Sequence, residues 1–390
     1  MHAPEADQQD SAPASHAHRI WTLAALLLLM VIAQSLYVSL RDGTPIDFAS
    51  YWAAARLTLA GNAAGAYDLA AHRAVESQAI AIGDAFLPFA YPPSYLLLIL
   101  PFGALPFAPA VIVWVAATLG LYAAAARKLM PGALALALAF PPALASGMVG
   151  QNGFLLAAVW IAATLLYPRR PFAAGLLLGL LVLKPHIGIL LPIAFIAARD
   201  WRAFAGAAVG ATATLGIGLI VFGPAIWQDF AAMMPLYGRL TADGTIGWQK
   251  MASVYATLRL AGLPAGIGWT VHIAVAMAAT AMVIRIWRGS HDPLLRMAIL
   301  VTATALISPY LYVYDQLLLI VAIAWLCRAG IQPHTLVALY VIPLASLLLL
   351  LVPEAHFNPA PLLPLALMAL IWRSREAPLR SNGQHEGETE

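Results

Sequence analysis

Cysteine is almost absent: Cys327 is the only one in 390 residues. No intramolecular disulfide can form, so a disulfide-stapled fold is excluded. Its place at the end of an apolar run reads as a small buried hydrophobe. Charge is scarce as well, 10% of the chain against about 25% in a soluble domain. The few basic residues come as scattered singles and pairs with a net charge of +3, which excludes a clustered nucleic-acid-binding surface. There is no P-loop, no dinucleotide fingerprint and no His/Cys group at metal-ligand spacing. No Asp-x-Asp pair is present to hold a metal on a nucleotide. No cofactor and no metal are therefore expected. The sequence also has no evident internal repeat, which weighs against an inverted-repeat transporter.

What is abundant is apolar sequence. Hydrophobic residues make up 62% and mean hydropathy is +0.81, against roughly 45–50% apolar in soluble domains. One soluble core cannot hide this excess, so lipid must solvate it. The expected fold is an all-α, polytopic integral membrane bundle of about 12 transmembrane helices, near 20–40, 107–126, 132–147, 153–167, 172–183, 187–198, 203–222, 266–285, 294–308, 316–327, 335–351 and 360–372. Several are shorter than the ~20 residues of a full crossing and need shielding by neighbours. The first run, Ile20–Leu40, is longer than a secretory h-region and reads as a retained span. Ser94–Pro106, apolar but short and bounded by prolines, reads as a re-entrant or interfacial helix.

Basic residues set the orientation. With the N-terminus inside, 14 of the 21 Lys and Arg fall on cytoplasmic junctions and seven outside, while acidic residues divide evenly. The single transmembrane domain is 19–373, flanked by disordered cytoplasmic termini at 1–18 and 374–390. Two long outer loops, about 41–93 and 223–265, carry short interfacial helices. Function belongs there, because loops on a rigid scaffold carry chemistry. The implied location is the inner (plasma) membrane, with the working face periplasmic or extracellular.

The first outer loop is the most informative segment. Ala-rich Phe48–Ala60 predicts a helix with Asp47 at its start and Gly61 just past its end. Asp47 reads either as an N-cap or as an outer-face general base, with the helix N-terminus lowering its pKa. Asp68–Ile82 predicts a surface-lying amphipathic helix. Lys184 stands alone between two short apolar runs, and Pro185 disfavours helix at Lys184 itself. It is either a snorkelling lysine or a phosphate ligand that stabilises a leaving anion. His186 either assists it or is a structural hydrogen-bonder. Lys250 and Arg259, in the second outer loop, are further phosphate candidates. Tyr310, Tyr312 and Tyr314 form either an aromatic belt or a stacking surface, and Asp315 reads first as the N-cap of an apolar span. His272, within a span, is expected to hydrogen-bond a neighbouring helix. The spans hold essentially no acidic residues, which favours surface chemistry over the midplane carboxylates of an ion-coupled transporter or lipid flippase, the alternative class.

Asp47-x3-Tyr51-Trp52-Ala53-Ala54, followed by Leu59-Ala60-Gly61 and Tyr67-Asp68, resembles the first-loop signature of glycosyltransferase family 87. In order downstream come Phe89-x-Tyr91-Pro92-Pro93, Gly150-Gln151-Asn152, Leu183-Lys184-Pro185 and Ser308-Pro309-Tyr310, each similar to a segment of that family. At Tyr312-Val313-Tyr314-Asp315 the chain resembles a bacterial subgroup with Tyr and Asp there. The resemblance covers residues 20 to about 330. It implies a GT-C-type membrane glycosyltransferase that moves a sugar, mannose or another hexose or pentose, from a polyprenyl-phosphate-linked donor to a glycolipid or glycan acceptor. Asp47 would be the general base, Lys184, His186, Lys250 and Arg259 the donor-phosphate ligands, and Tyr51, Tyr91, Gln151, Asn152, Tyr310, Tyr312 and Asp315 the substrate contacts. A lipid-linked donor brings its sugar already activated, which fits the absence of nucleotide and metal motifs.

Overall fold

The computed structural model describes residues 11–81, 83, 87–352 and 354–375. Residues 1–10 and 376–390, most of the two expected tails, lie outside them. Every named element is helical. α1 (Ser11–Asp42) is followed by α2 (Phe48–Leu59), α3 (Leu69–Glu76) and α4 (Ser94–Gly103) in the first long connection. Then come α5 (Phe107–Leu129), α6 (Leu134–Leu138), α7 (Pro141–Val149), α8 (Gly153–Leu166), α9 (Pro171–Gly179), α10 (Pro185–Gly188), α11 (Leu191–Ala198) and α12 (Trp201–Phe222). The second long connection holds α13 (Ala225–Asp243) and α14 (Val254–Leu260). It leads to α15 (Ala265–Gly289), α16 (Pro293–Ile307), α17 (Ile320–Arg328), α18 (Pro333–Leu349) and α19 (Leu362–Ser374).

Among the described residues four helices are long and apolar enough to cross a membrane: Ala17–Asp42, Phe107–Leu129, Trp201–Phe222 and Ala265–Gly289. Seven further apolar segments are shorter. The twelve expected runs are all helical, but several are broken. The run 132–147 is two pieces, α6 and α7, because Pro141 opens a new helix after an extended Phe140. The run 187–198 starts earlier, at Pro185, and breaks again before Leu191. At 1.5 Å per residue the eight residues of α11 reach about 12 Å, well short of a ~30 Å hydrocarbon core. α1 begins at Ser11, so residues 11–18, read as part of a disordered tail, are helical.

The second connection differs most from expectation. It holds α13, a helix of 19 residues rather than a short one. α13 packs back on the first connection: the Phe230 and Tyr67 rings lie 5.6 Å apart, and the Tyr237 hydroxyl donates to the Phe89 carbonyl at 3.0 Å. The far end of this connection is tied at Asn358. The Asn358 Nδ2 donates to the carbonyls of Gln249 and Met251 at 2.8 and 3.0 Å, while its Oδ1 accepts from the Ala360 amide at 2.9 Å. Met251 also forms an isolated antiparallel bridge with Tyr312. His272 meets the Ile307 carbonyl of the adjacent α16 at 3.2 Å, the interhelical bond expected of it.

α9 and α12 cross backbone to backbone. A Cβ at Gly206 would stand 2.1 Å from the Phe172 carbonyl oxygen, and one at Gly175 would stand 2.2 Å from that of Ala203. Small residues permit such close approach, and any side chain must push the helices apart. Gly206→Val is expected to cost about 1–3 kcal/mol of stability, seen as a lower thermal midpoint of the detergent-solubilised protein; Gly216→Ala, where a Cβ meets nothing within 4 Å, is the matched control.

Candidate active site

Asp47 sits at the head of α2 but does not cap it. Its backbone is already helical and its side chain makes no capping bond. The carboxylate turns instead toward another helix junction, where Oδ2 accepts from Gln151 Nε2 at 3.0 Å. Burial pushes this carboxyl above the ordinary carboxylate range; the Gln151 hydrogen bond, then Lys250 and Lys184, oppose the rise. This corrects the expectation that the helix terminus lowers it: desolvation outweighs the terminus.

Gln151 and Asn152 occupy the turn between α7 and α8. Gly150 ends α7 with φ +67, and a Cβ there would stand 2.7 Å from the Phe48 Cβ. A Cβ at Gly153 would stand 2.6 Å from the Tyr314 carbonyl oxygen. Glycine on both sides lets the turn press against α2 and against the 3-10 turn Val313–Leu319 at once. The Trp114 indole from α5 donates to the Gly150 carbonyl at 2.9 Å and closes the back of the turn.

From this turn a continuous chain of polar contacts runs through the protein. The Tyr51 hydroxyl of α2 lies 2.5 Å from Gln151 Oε1 and 2.8 Å from the Tyr91 hydroxyl. Asn152 Nδ2 donates to the hydroxyls of Tyr91 and Tyr95 at 3.3 and 3.1 Å. On its other side Asn152 Oδ1 accepts from Lys184 Nζ at 3.5 Å. Lys184 in turn pairs with Asp315 Oδ1 at 2.5 Å, and Asp315 Oδ2 accepts the Tyr312 amide at 3.2 Å. Lys184 has a non-helical backbone, as the following proline requires. Its ammonium lies 5.0 Å from the centre of the Tyr314 ring, which stacks on Tyr312 at 5.2 Å with the planes 5° apart. Asp315 thus caps its own turn and also neutralises Lys184, while Lys184 is buried rather than snorkelling.

The structure therefore brings together Asp47, Tyr51, Tyr91, Gln151, Asn152, Lys184, Tyr312 and Asp315. Lys250 is exposed, but the bridge between its neighbour Met251 and Tyr312 holds it over this group, near enough to act on Asp47. Three expected residues stay apart. Tyr310 is 38% exposed and joins no part of the chain of contacts. Arg259 closes the end of α14, donating to the Leu263 carbonyl at 2.8 Å and lying 4.7 Å from the Trp248 ring centre. His186 makes no hydrogen bond to the group among the described residues, and its Nε2 is buried without a partner there. Tyr95, not singled out in the sequence, is a full member; it stacks on Tyr91 at 4.2 Å. Among the described residues no three His, Cys, Asp or Glu side chains are grouped to hold a metal.

The fold and the group define a class: an all-helical protein with long apolar helices suited to a membrane and a buried polar group that links helix ends to long connections. The chain belongs to glycosyltransferase family 87, whose sequence profile matches residues 89–309. It is also similar to a polyprenol-phosphate-mannose-dependent alpha-(1-2)-phosphatidylinositol pentamannoside mannosyltransferase of Mycobacterium tuberculosis (strain CDC 1551 / Oshkosh), with 27% identity over 261 residues. That alignment covers 62% of this chain and 59% of the relative, so the chain spans less than two thirds of that protein. No solved structure matches.

Proposed function

We propose that this protein is a multi-span membrane glycosyltransferase that moves a sugar from a polyprenyl-phosphate donor to an acceptor hydroxyl on the outer face of the inner membrane. One observation carries the reading: segments from five separate parts of the sequence meet in one polar chain with a half-buried carboxylate at one end and a buried ammonium at the other. Asp47 takes the proton of the acceptor hydroxyl as that oxygen attacks the anomeric carbon. The carbon–phosphate oxygen bond breaks on the opposite face, so configuration inverts. A polyprenyl phosphate leaves as an anion without protonation, so a single carboxyl suffices where a glycosidase needs two. Lys184, together with Lys250, stabilises the developing charge on that phosphate.

A lipid-borne donor agrees with the surroundings. A shallow, mainly apolar concavity lies along α1, lined among others by Leu27, Met30, Val31, Val38 and Thr44. The excess of Lys and Arg on alternate junctions supports about 12 crossings within one domain, 19–373, with both long connections outside. The relative's mannose donor makes mannose the first sugar to test, and a phosphatidylinositol mannoside the first acceptor. Membranes holding the protein, washed free of nucleotide sugars and given radiolabelled mannosyl phosphoryl polyprenol, are expected to label a glycolipid or glycan. Labelling from a nucleotide sugar alone, with none from the lipid donor, would overturn the reading.

A further inference from the structure

Gln151 meets Asp47 with one end of its amide and two phenols with the other. Nε2 donates to Asp47 Oδ2 at 3.0 Å. Oε1 faces the hydroxyls of Tyr51 at 2.5 Å and Tyr91 at 3.2 Å, and accepts the Asn152 amide at 3.3 Å. The two ends of an amide are not interchangeable: the oxygen only accepts and the nitrogen only donates. The Asn152 backbone N–H can only donate, so the end of the amide that faces it is the oxygen. That fixes the sense of the amide, so its NH2 must face the carboxylate. Burial pushes both phenols well above their ordinary range, so they remain protonated. The backbone is held as well, through Gly150 against Phe48. Gln151 is itself 8% exposed, with its polar atoms already engaged, which leaves little of it for a substrate. Asp47 Oδ1, by contrast, has no donor among the described residues.

We infer that Gln151 is a positioning residue for the base rather than a substrate ligand: it clamps Asp47 through Oδ2 and leaves Oδ1 for the acceptor hydroxyl. This rests on the reading of Asp47 as the base. The other titratable groups that bear on Asp47 are Lys184 and Lys250, which favour its ionised form, and Tyr91, Tyr312 and Tyr314, which are neutral at working pH.

The test is a pH titration of the Asp47 carboxyl band by infrared difference spectroscopy on the full chain in liposomes, with the band assigned by its loss in Asp47→Asn. A parallel pH profile of kcat/KM uses radiolabelled mannosyl phosphoryl polyprenol. Gln151→Met keeps the volume and removes the donor. The band's midpoint and the acid limb are expected to move up together by about one pH unit, and kcat to fall about 10–100-fold with KM unchanged within a factor of about two. Gln151→Glu keeps the shape and sets a second carboxyl beside the first, so its midpoint is expected to rise further; it serves where Gln151→Met folds poorly. Midpoints that stay put in both variants overturn the inference. So does a raised KM in Gln151→Met with the midpoint unmoved, which would make Gln151 a substrate ligand. Normal turnover in Asp47→Asn would instead sink the base itself, while the infrared midpoints would still report whether Gln151 holds that carboxyl.

Discussion

Asp47→Asn is expected to lose about 10²–10⁴-fold in sugar transfer, the range a general base supplies, while the protein still folds and inserts. The structure makes this a clean substitution. An asparagine oxygen can accept the same Gln151 Nε2 hydrogen bond that the carboxylate now takes at 3.0 Å, so the geometry at the head of α2 survives. What is lost is the ability to take a proton. Because burial disfavours the charged carboxylate at this position, removing the charge should leave the thermal midpoint unchanged or raise it. The wild-type pH profile follows from the same cause: the base must be ionised, its pKa is raised, and activity should therefore fall away at a higher pH than for an ordinary exposed aspartate. Transfer rates and thermal midpoints measured on the same detergent-purified samples check both statements. Undiminished transfer in the variant would remove Asp47 from the mechanism.

The second large effect concerns the Lys184–Asp315 pair. Both side chains are buried and meet at 2.5 Å. Removing one partner strands the other's charge inside the protein, which typically costs about 3–5 kcal/mol. Asp315→Leu and Lys184→Ala should each lower stability by about that amount, and Lys184→Met combined with Asp315→Leu should recover most of it, since a buried pair and a well-packed apolar pair are often close in free energy. Activity should not return with stability, because the ammonium proposed to stabilise the leaving phosphate is gone. Under conditions where Lys184→Ala stays folded, its donor KM should rise more than its acceptor KM. Equal loss on both sides would mark Lys184 as structural. Denaturation midpoints and the two KM values separate these outcomes.

The chain's organisation was legible in the sequence because lipid imposes a strong pattern. The apolar runs located each of the four helices that, among the described residues, are long and apolar enough to cross a membrane. Asp47, Lys184 and Asp315 were readable as polar punctuation beside apolar runs, whereas Tyr91, Gln151 and Asn152 were singled out by the resemblance to family 87. What escaped depends on contacts between distant segments. Tyr95 lies inside an apolar run, and nothing local shows that its hydroxyl meets Asn152, 57 positions away. Asp47 looked like a cap because its position is a cap position; only the approach of Gln151, 104 residues later, draws the carboxylate elsewhere. Arg259 and Tyr310 had suitable chemistry but are placed by local packing and exposure. α13 was hidden by Pro235 and by polar residues that suggested a loop. The family profile spans 89–309, so Asp47, Tyr51, Tyr312 and Asp315 lie outside it, and their membership of the site rests on the geometry.

The tie at Asn358 has a consequence for how the site is completed during synthesis. A nascent chain ending after α17 already contains every member of the polar group, from Asp47 to Asp315. It does not yet contain the amide that fastens the carbonyls of Gln249 and Met251, nor the Ala360 carbonyl that Gln316 reaches at 2.8 Å. The turn bearing Lys250 is already tied to Tyr312 through Met251, but it lacks this second fastening until α18 and α19 follow. The C-terminal hairpin thus braces the polar group from outside and lends it no side chain.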